Sequence, residues 1–143
     1  MKPVQLLGVL VAVGVIAAPI SSARPAYRLQ TITQLGLKPD ANGKATITCQ
    51  YCHQGQRGGK PWNDFGDNVV ANFFGAANKN IAQALYLTMK DRKDSDEDGY
   101  DDVLEVLGGS RPGDATSMPR TPKDTLEAQL KIMGGVDFYK PKP

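Results

Sequence analysis

The chain has 143 residues, with 17 Lys and Arg against 15 Asp and Glu, a formal net charge of +2. No basic stripe of the kind nucleic-acid binding needs is present; charge is instead segregated, with eight acids and three bases between positions 90 and 105. The length suits one domain, and ten prolines with fifteen glycines make it loop-rich, so its small core needs an added constraint.

Residues 1–23 read as a secretory signal peptide. Lys2 supplies a short basic start, residues 4–20 are apolar apart from Gln5, and Ser21-Ser22-Ala23 places small residues at the cleavage positions. The apolar run is 17 residues, broken by Gly8, Gly14 and Pro19, whereas a spanning helix needs about 20. Retention as a membrane anchor is the competing reading and the only one that involves a membrane. Cleavage places a domain over 24–135 and a flexible tail over 136–143 outside the cytoplasm, in the periplasm or at the cell surface.

Residues 26–35 predict a helix with Tyr27, Leu29, Ile32 and Leu35 on its buried side. Residues 38–43 form a turn-rich loop, and residues 44–48 fit a short strand. Then comes Cys49-Gln50-Tyr51-Cys52-His53, which holds both cysteines and the only histidine of the chain. C-x-x-C-H is the pattern of covalent haem attachment: two thiols on one face of a turn bond the porphyrin, and the next residue presents an imidazole to iron. Three other readings compete. A zinc site needs four ligands, or three plus an open position, and this motif offers three at most, which leaves room only for a cramped catalytic zinc. A thioredoxin-like dithiol belongs after a strand in a βαβ pattern, and no β-rich continuation follows. A structural disulfide leaves His53 unexplained.

Residues 54–60 contain three glycines, so the backbone can pass close to a cofactor edge. A ligand histidine donates its second ring N–H to a carbonyl or carboxylate, and residues 59–61 are placed to offer a carbonyl. Trp62 packs either on the porphyrin or in the core. Asn63 reads as the N-cap of a helix running to Phe74 and closed by Gly75. A second helix is expected over 81–93.

Residues 94–105 match D-x-[DN]-x-[DN]-G-x5-E in full. Calcium takes six to eight oxygen ligands. Asp94, Asp96 and Asp98 are candidate carboxylate ligands, Tyr100 offers a backbone carbonyl, Asp102 acts directly or through water, and Glu105 closes the sphere. The exit helix stops at Gly108-Gly109. The segment as a whole, with Gly109-Ser110-Arg111-Pro112 after it, resembles the calcium repeats of thrombospondin type 3 and dockerin modules. That resemblance implies a structural ion, bound with a dissociation constant of roughly 10⁻⁵ to 10⁻³ M. Arg111 stands where the family often carries an acid.

The last helix is expected from Thr121 as N-cap, with Pro122 at its first position, to Met133, ending at Gly134-Gly135. With one histidine in the chain, a second axial iron ligand from this sequence is a methionine or absent, and the candidates are Met118, Met89 and Met133.

The motif CQYCH, the glycine-rich loop with Pro61 and the pair Met118-Pro119 together resemble small monohaem class I c-type cytochromes. The resemblance implies an all-α domain around one covalent haem, Met118 as second axial ligand, and a carrier of single electrons between transient redox protein partners rather than an enzyme. The alternatives are a haem-based ligand sensor or small peroxidase-like enzyme with an open iron, and a calcium-stabilised surface module.

Overall fold

A computed structural model describes residues 23–37 and 49–142. The expected signal segment up to residue 22, the loop at 38–43 and the strand at 44–48 lie outside the described residues. Five α-helices and two 3-10 turns make up the regular structure, with no strand among the described residues. The domain is all-α, as expected. No helix among the described residues is long and apolar enough to cross a membrane.

Helix α1 spans Ala23–Leu35 and begins three residues before its predicted start. Its inner side carries Thr31 and Leu35, with Ile32 half-buried; Tyr27 and Leu29, expected inside, are exposed. Helix α2 spans Asp64–Phe74. The Asn63 side chain accepts from the Gly66 amide at 2.8 Å, satisfying one of the amides a helix start leaves unpaired. Phe65 and Val69 bury its inner stripe. Helix α3 spans Ile81–Lys90 and is capped by Asn80. It is the hub, packed against α1, α2, helix α4 (Asp102–Gly108) and the C-terminal 3-10 turn. Ala84, Leu85 and Met89 are fully buried there.

Helix α3 stops three residues short of its predicted end. Arg92 turns left-handed at φ 53°, and the Lys93 carbonyl accepts from the Asp102 amide at 2.7 Å, so the chain closes the acidic loop instead of continuing the helix. Helix α4 buries Val103, Leu104 and Val106 and ends at Gly109, whose φ of 80° suits glycine. Helix α5 spans Lys123–Ile132 and packs Leu126 and Leu130 on α4. Pro122 is its N-cap, one position outside its predicted place, and its extended backbone leaves the Thr121 hydroxyl without a capping role.

The tail departs most from expectation. Residues Gly135–Tyr139 form a 3-10 turn, and Tyr139 is buried. The Gln34 side-chain amide donates to the carbonyls of both Ala82 and Tyr139, at 2.8 and 2.9 Å. Tyr86 donates to Asp137 at 2.7 Å. Burial of the Tyr139 ring and these long-range hydrogen bonds hold residues 137–139 against the domain.

Candidate functional site

Cys49–Tyr51 is a single 3-10 turn, and the amides of Cys52 and His53 both donate to the Cys49 carbonyl, at 3.2 and 3.0 Å. This tight wrap puts Cys49, Cys52 and His53 on the wall of one cavity. Helix α2 lies directly on the turn. A Cβ at Gly66 would run into the Cys52 carbonyl, so only glycine permits that approach. Asn63 ties the two together. Its side-chain amide donates to the carbonyls of Gln50 and Tyr51, at 3.1 and 3.2 Å, and its backbone amide donates to Cys52 at 3.2 Å. Tyr51 turns inward, edge-on to Phe65 with ring centroids 5.7 Å apart.

The His53 ring is fixed by a backbone carbonyl. Nδ1 lies 2.6 Å from the Gly59 oxygen, so Nδ1 carries a proton and donates, and Nε2 is the nitrogen that this bond leaves unengaged. This carbonyl belongs to the segment expected to provide it. The loop that carries it is pinned at both ends. The Gln54 amide donates to Pro61 at 3.1 Å, and His53 and Trp62 face each other as an antiparallel bridge. The Trp62 ring lies 4.1 Å from the imidazole, tilted by 30°, and also lines the cavity. Gly58 is left-handed at φ 74°, and a Cβ there would sit 3.6 Å from His53 Nε2 and 3.7 Å from Cys49 Sγ. Glycine therefore leaves both reactive atoms uncovered.

The cavity holds about 420 Å³, within the usual range for a cofactor pocket. Val69, Val70, Phe73 and Leu85 give it apolar walls, and Arg28, Arg57 and Lys60 stand among its lining. Tyr27 and Thr31 complete the α1 wall. Both cysteines are free thiols. Burial, then the neighbouring Cys49, pushes the Cys52 thiol up to about 12, so it stays protonated at neutral pH. The geometry fits a porphyrin: apolar walls, two thiols together, and an imidazole with one nitrogen committed and the other available.

The structure does not bring Met118 to this cavity. Met118 is about half exposed, on a loop held elsewhere. Pro119 is buried against Gly108 at the end of α4, and the Arg111 amide donates to the Ser117 hydroxyl at 3.1 Å. Met89 is sealed in the core and Met133 follows α5; neither lines the cavity.

The acidic loop presents different chemistry. Asp94, Asp96 and Asp98 each bring a carboxylate oxygen within 4.8 Å of the others. The turn at Gly99 has φ 99°, and its amide donates to Asp94 at 2.9 Å. The Tyr100 amide donates to Asp98 at 2.9 Å. Glu105 is fully buried; Ser110 donates to Oε1 at 3.1 Å, and Oε2 has no protein partner. Asp96 Oδ2 and Asp98 Oδ2 are also buried without a partner. Buried carboxylate oxygens are costly unless paired. Burial, then the charges of Asp96 and Asp98, pushes the Glu105 carboxyl up to about 9. Three unpaired oxygens from a hard-donor set fit a calcium ion.

Asp102 is held by the start of the loop. Its two oxygens accept from the Ser95 amide and hydroxyl, at 2.9 and 2.8 Å. Burial is the main reason its carboxyl rises to about 7. It braces the start of the loop. Sequence reasoning missed this bracing, the role of Gly66 and the inward turn of Tyr51; an N-cap signal at Asn63 was the only trace of the staple on the motif. Comparisons with protein families, with curated proteins and with solved structures find no match to this chain.

Proposed function

We propose that this chain is an exported c-type haem protein that passes single electrons between transient protein partners and is braced by one calcium ion. The observation that carries this reading is the hydrogen bond from His53 Nδ1 to the Gly59 carbonyl, beside two thiols on the same apolar cavity. A bound haem would supply a one-electron iron couple. Cys49 and Cys52 would hold it through thioether bonds, and His53 Nε2 would face the iron. The Gly59 carbonyl fixes the imidazole tautomer and increases its basicity. Phe73, Val69 and Leu85 exclude water, which limits reorganisation around the reacting charge. In the acidic loop, Asp94, Asp96, Asp98 and Glu105 would hold calcium, with Asp102 as a brace.

A pyridine haemochrome spectrum with intact mass, on protein matured in a haem-ligating host, tests the proposal. One covalent haem per chain is expected; colourless protein of apoprotein mass overturns it.

A second reading has one observation in its favour: no methionine among the described residues lines the cavity. It takes the iron as open on its second face, suited to a small exogenous ligand, with Tyr27, Arg28 and Thr31 on the α1 wall. Rapid carbon monoxide binding to the reduced protein is expected on this reading and not on the carrier reading with a thioether ligand.

A further inference from the structure

The motif turn and the acidic loop are joined by one short segment. Residues 110–114 leave from one of the candidate calcium ligands. At one end Ser110 donates to Glu105 Oε1 at 3.1 Å, and its amide donates to the Glu105 carbonyl at 2.9 Å. The other end, Asp114, is held within the segment. The segment is stiffened within itself by the Arg111–Asp114 ion pair and by the Asp114 amide on the Arg111 carbonyl at 3.1 Å.

Between these ends sits Gly113. A Cβ there would lie 2.6 Å from Asn63 Cγ, so its backbone rests on the Asn63 side chain with no slack. Asn63 is the residue that holds the Gln50 and Tyr51 carbonyls of the Cys49–His53 turn. Close-packed interiors transmit such displacements instead of absorbing them.

We propose that calcium in the acidic loop sets the Cys49–His53 turn through Gly113 and Asn63, so that ion binding and haem redox state are linked. This rests on the haem and calcium reading above. A cation that recruits Glu105 moves the Ser110 end of the 110–114 segment with it. Gly113 passes that movement to Asn63, a positioning residue, and Asn63 to the turn that carries the axial imidazole. By reciprocity, an ion that favours one oxidation state binds that state more tightly by the same factor.

The test uses the full haem-loaded chain. Calcium is titrated calorimetrically into the ferric and the ferrous protein, and the Soret circular dichroism is recorded with calcium and with chelator. We expect the two dissociation constants to differ about five-fold or more, with a calcium-dependent Soret band shape. Asn63→Ser keeps a good helix cap but is too short to reach the two carbonyls. It should still bind haem and calcium, with the ratio falling toward unity and the Soret change lost. Should that variant fail to fold, Ser110→Ala, which removes the hydroxyl bond to the Glu105 carboxylate and leaves the backbone bond, should lower the ratio in the same direction. Equal affinities in the two oxidation states overturn the linkage, and so does an unchanged ratio in the variant. Absence of haemochrome, or absence of calcium heat in the unaltered chain, overturns the underlying reading as well and is distinguished by those two controls.

Discussion

The cavity and the acidic loop differ in how far the protein alone satisfies them. At the cavity, His53 Nδ1 has the Gly59 carbonyl and the Gln50 and Tyr51 carbonyls have Asn63, while the buried Tyr51 hydroxyl has no partner. At the loop, three buried carboxylate oxygens have none. The first region is held in shape by its own backbone; the second is held against its own charge. A cofactor that is bonded covalently needs a prepared surface, whereas an ion that exchanges needs a site made stable by its arrival.

The largest effect expected from breaking this contrast is at the motif. Cys49→Ser with Cys52→Ser should abolish covalent haem, read as apoprotein mass and loss of the haemochrome band. At the loop, Glu105→Gln should weaken calcium binding by roughly 100-fold or more, measured by calorimetry. It should change stability little in chelator, because the buried carboxyl is already protonated at neutral pH. The unaltered protein at one hundred times its dissociation constant should gain about 2.7 kcal/mol from calcium, and the variant should not.

Gly66→Ala attacks the prepared surface itself. It drives a methyl group into the Cys52 carbonyl and should cost about 3 kcal/mol or more, read from urea unfolding. The pH response separates the regions more gently. Asp102 and Glu105 have folded-state values of about 7 and about 9, against about 3.9 and 4.3 in an unfolded chain. The calcium-free fold therefore binds more protons than the unfolded chain between these limits. Its stability is greatest below the unfolded values and is lost as pH rises through about 7 and then 9. The melting temperature in chelator should fall between pH 5 and 9, and calcium affinity should rise across the same range. The smallest effect belongs to Met118→Leu. On the structure's placement it should leave haem attachment intact and stability within about 0.5 kcal/mol. A large change in the visible spectrum would return Met118 to the iron.

What the sequence reveals here is mostly what is local. Asn63 as a helix cap, the carbonyl for His53, the loop spacing of Asp94, Asp96 and Asp98, and the stop at Gly109 all depend on neighbours within a few positions. Met118 shows the limit. A Met-Pro pair suits a ligand loop, but Pro119 packs against Gly108 at the end of α4 and Met118 does not line the cavity. The tail shows the same limit, because Tyr139 finds its place through Gln34, 105 positions away. Gly66 and Gly113 carry no sequence signal for the close approaches that require them.

The bond from Gln34 to Tyr139 also bears on the order of assembly. Helix α1 forms one side of the cavity and is latched to the last turn of the chain. Synthesis runs from the amino end, so this latch is made of parts that emerge far apart in time. Until Tyr139 arrives, the Gln34 amide has only the Ala82 carbonyl, and one of the two bonds that fasten α1 at that point is missing. The latch on this wall of the cavity is therefore finished late in synthesis.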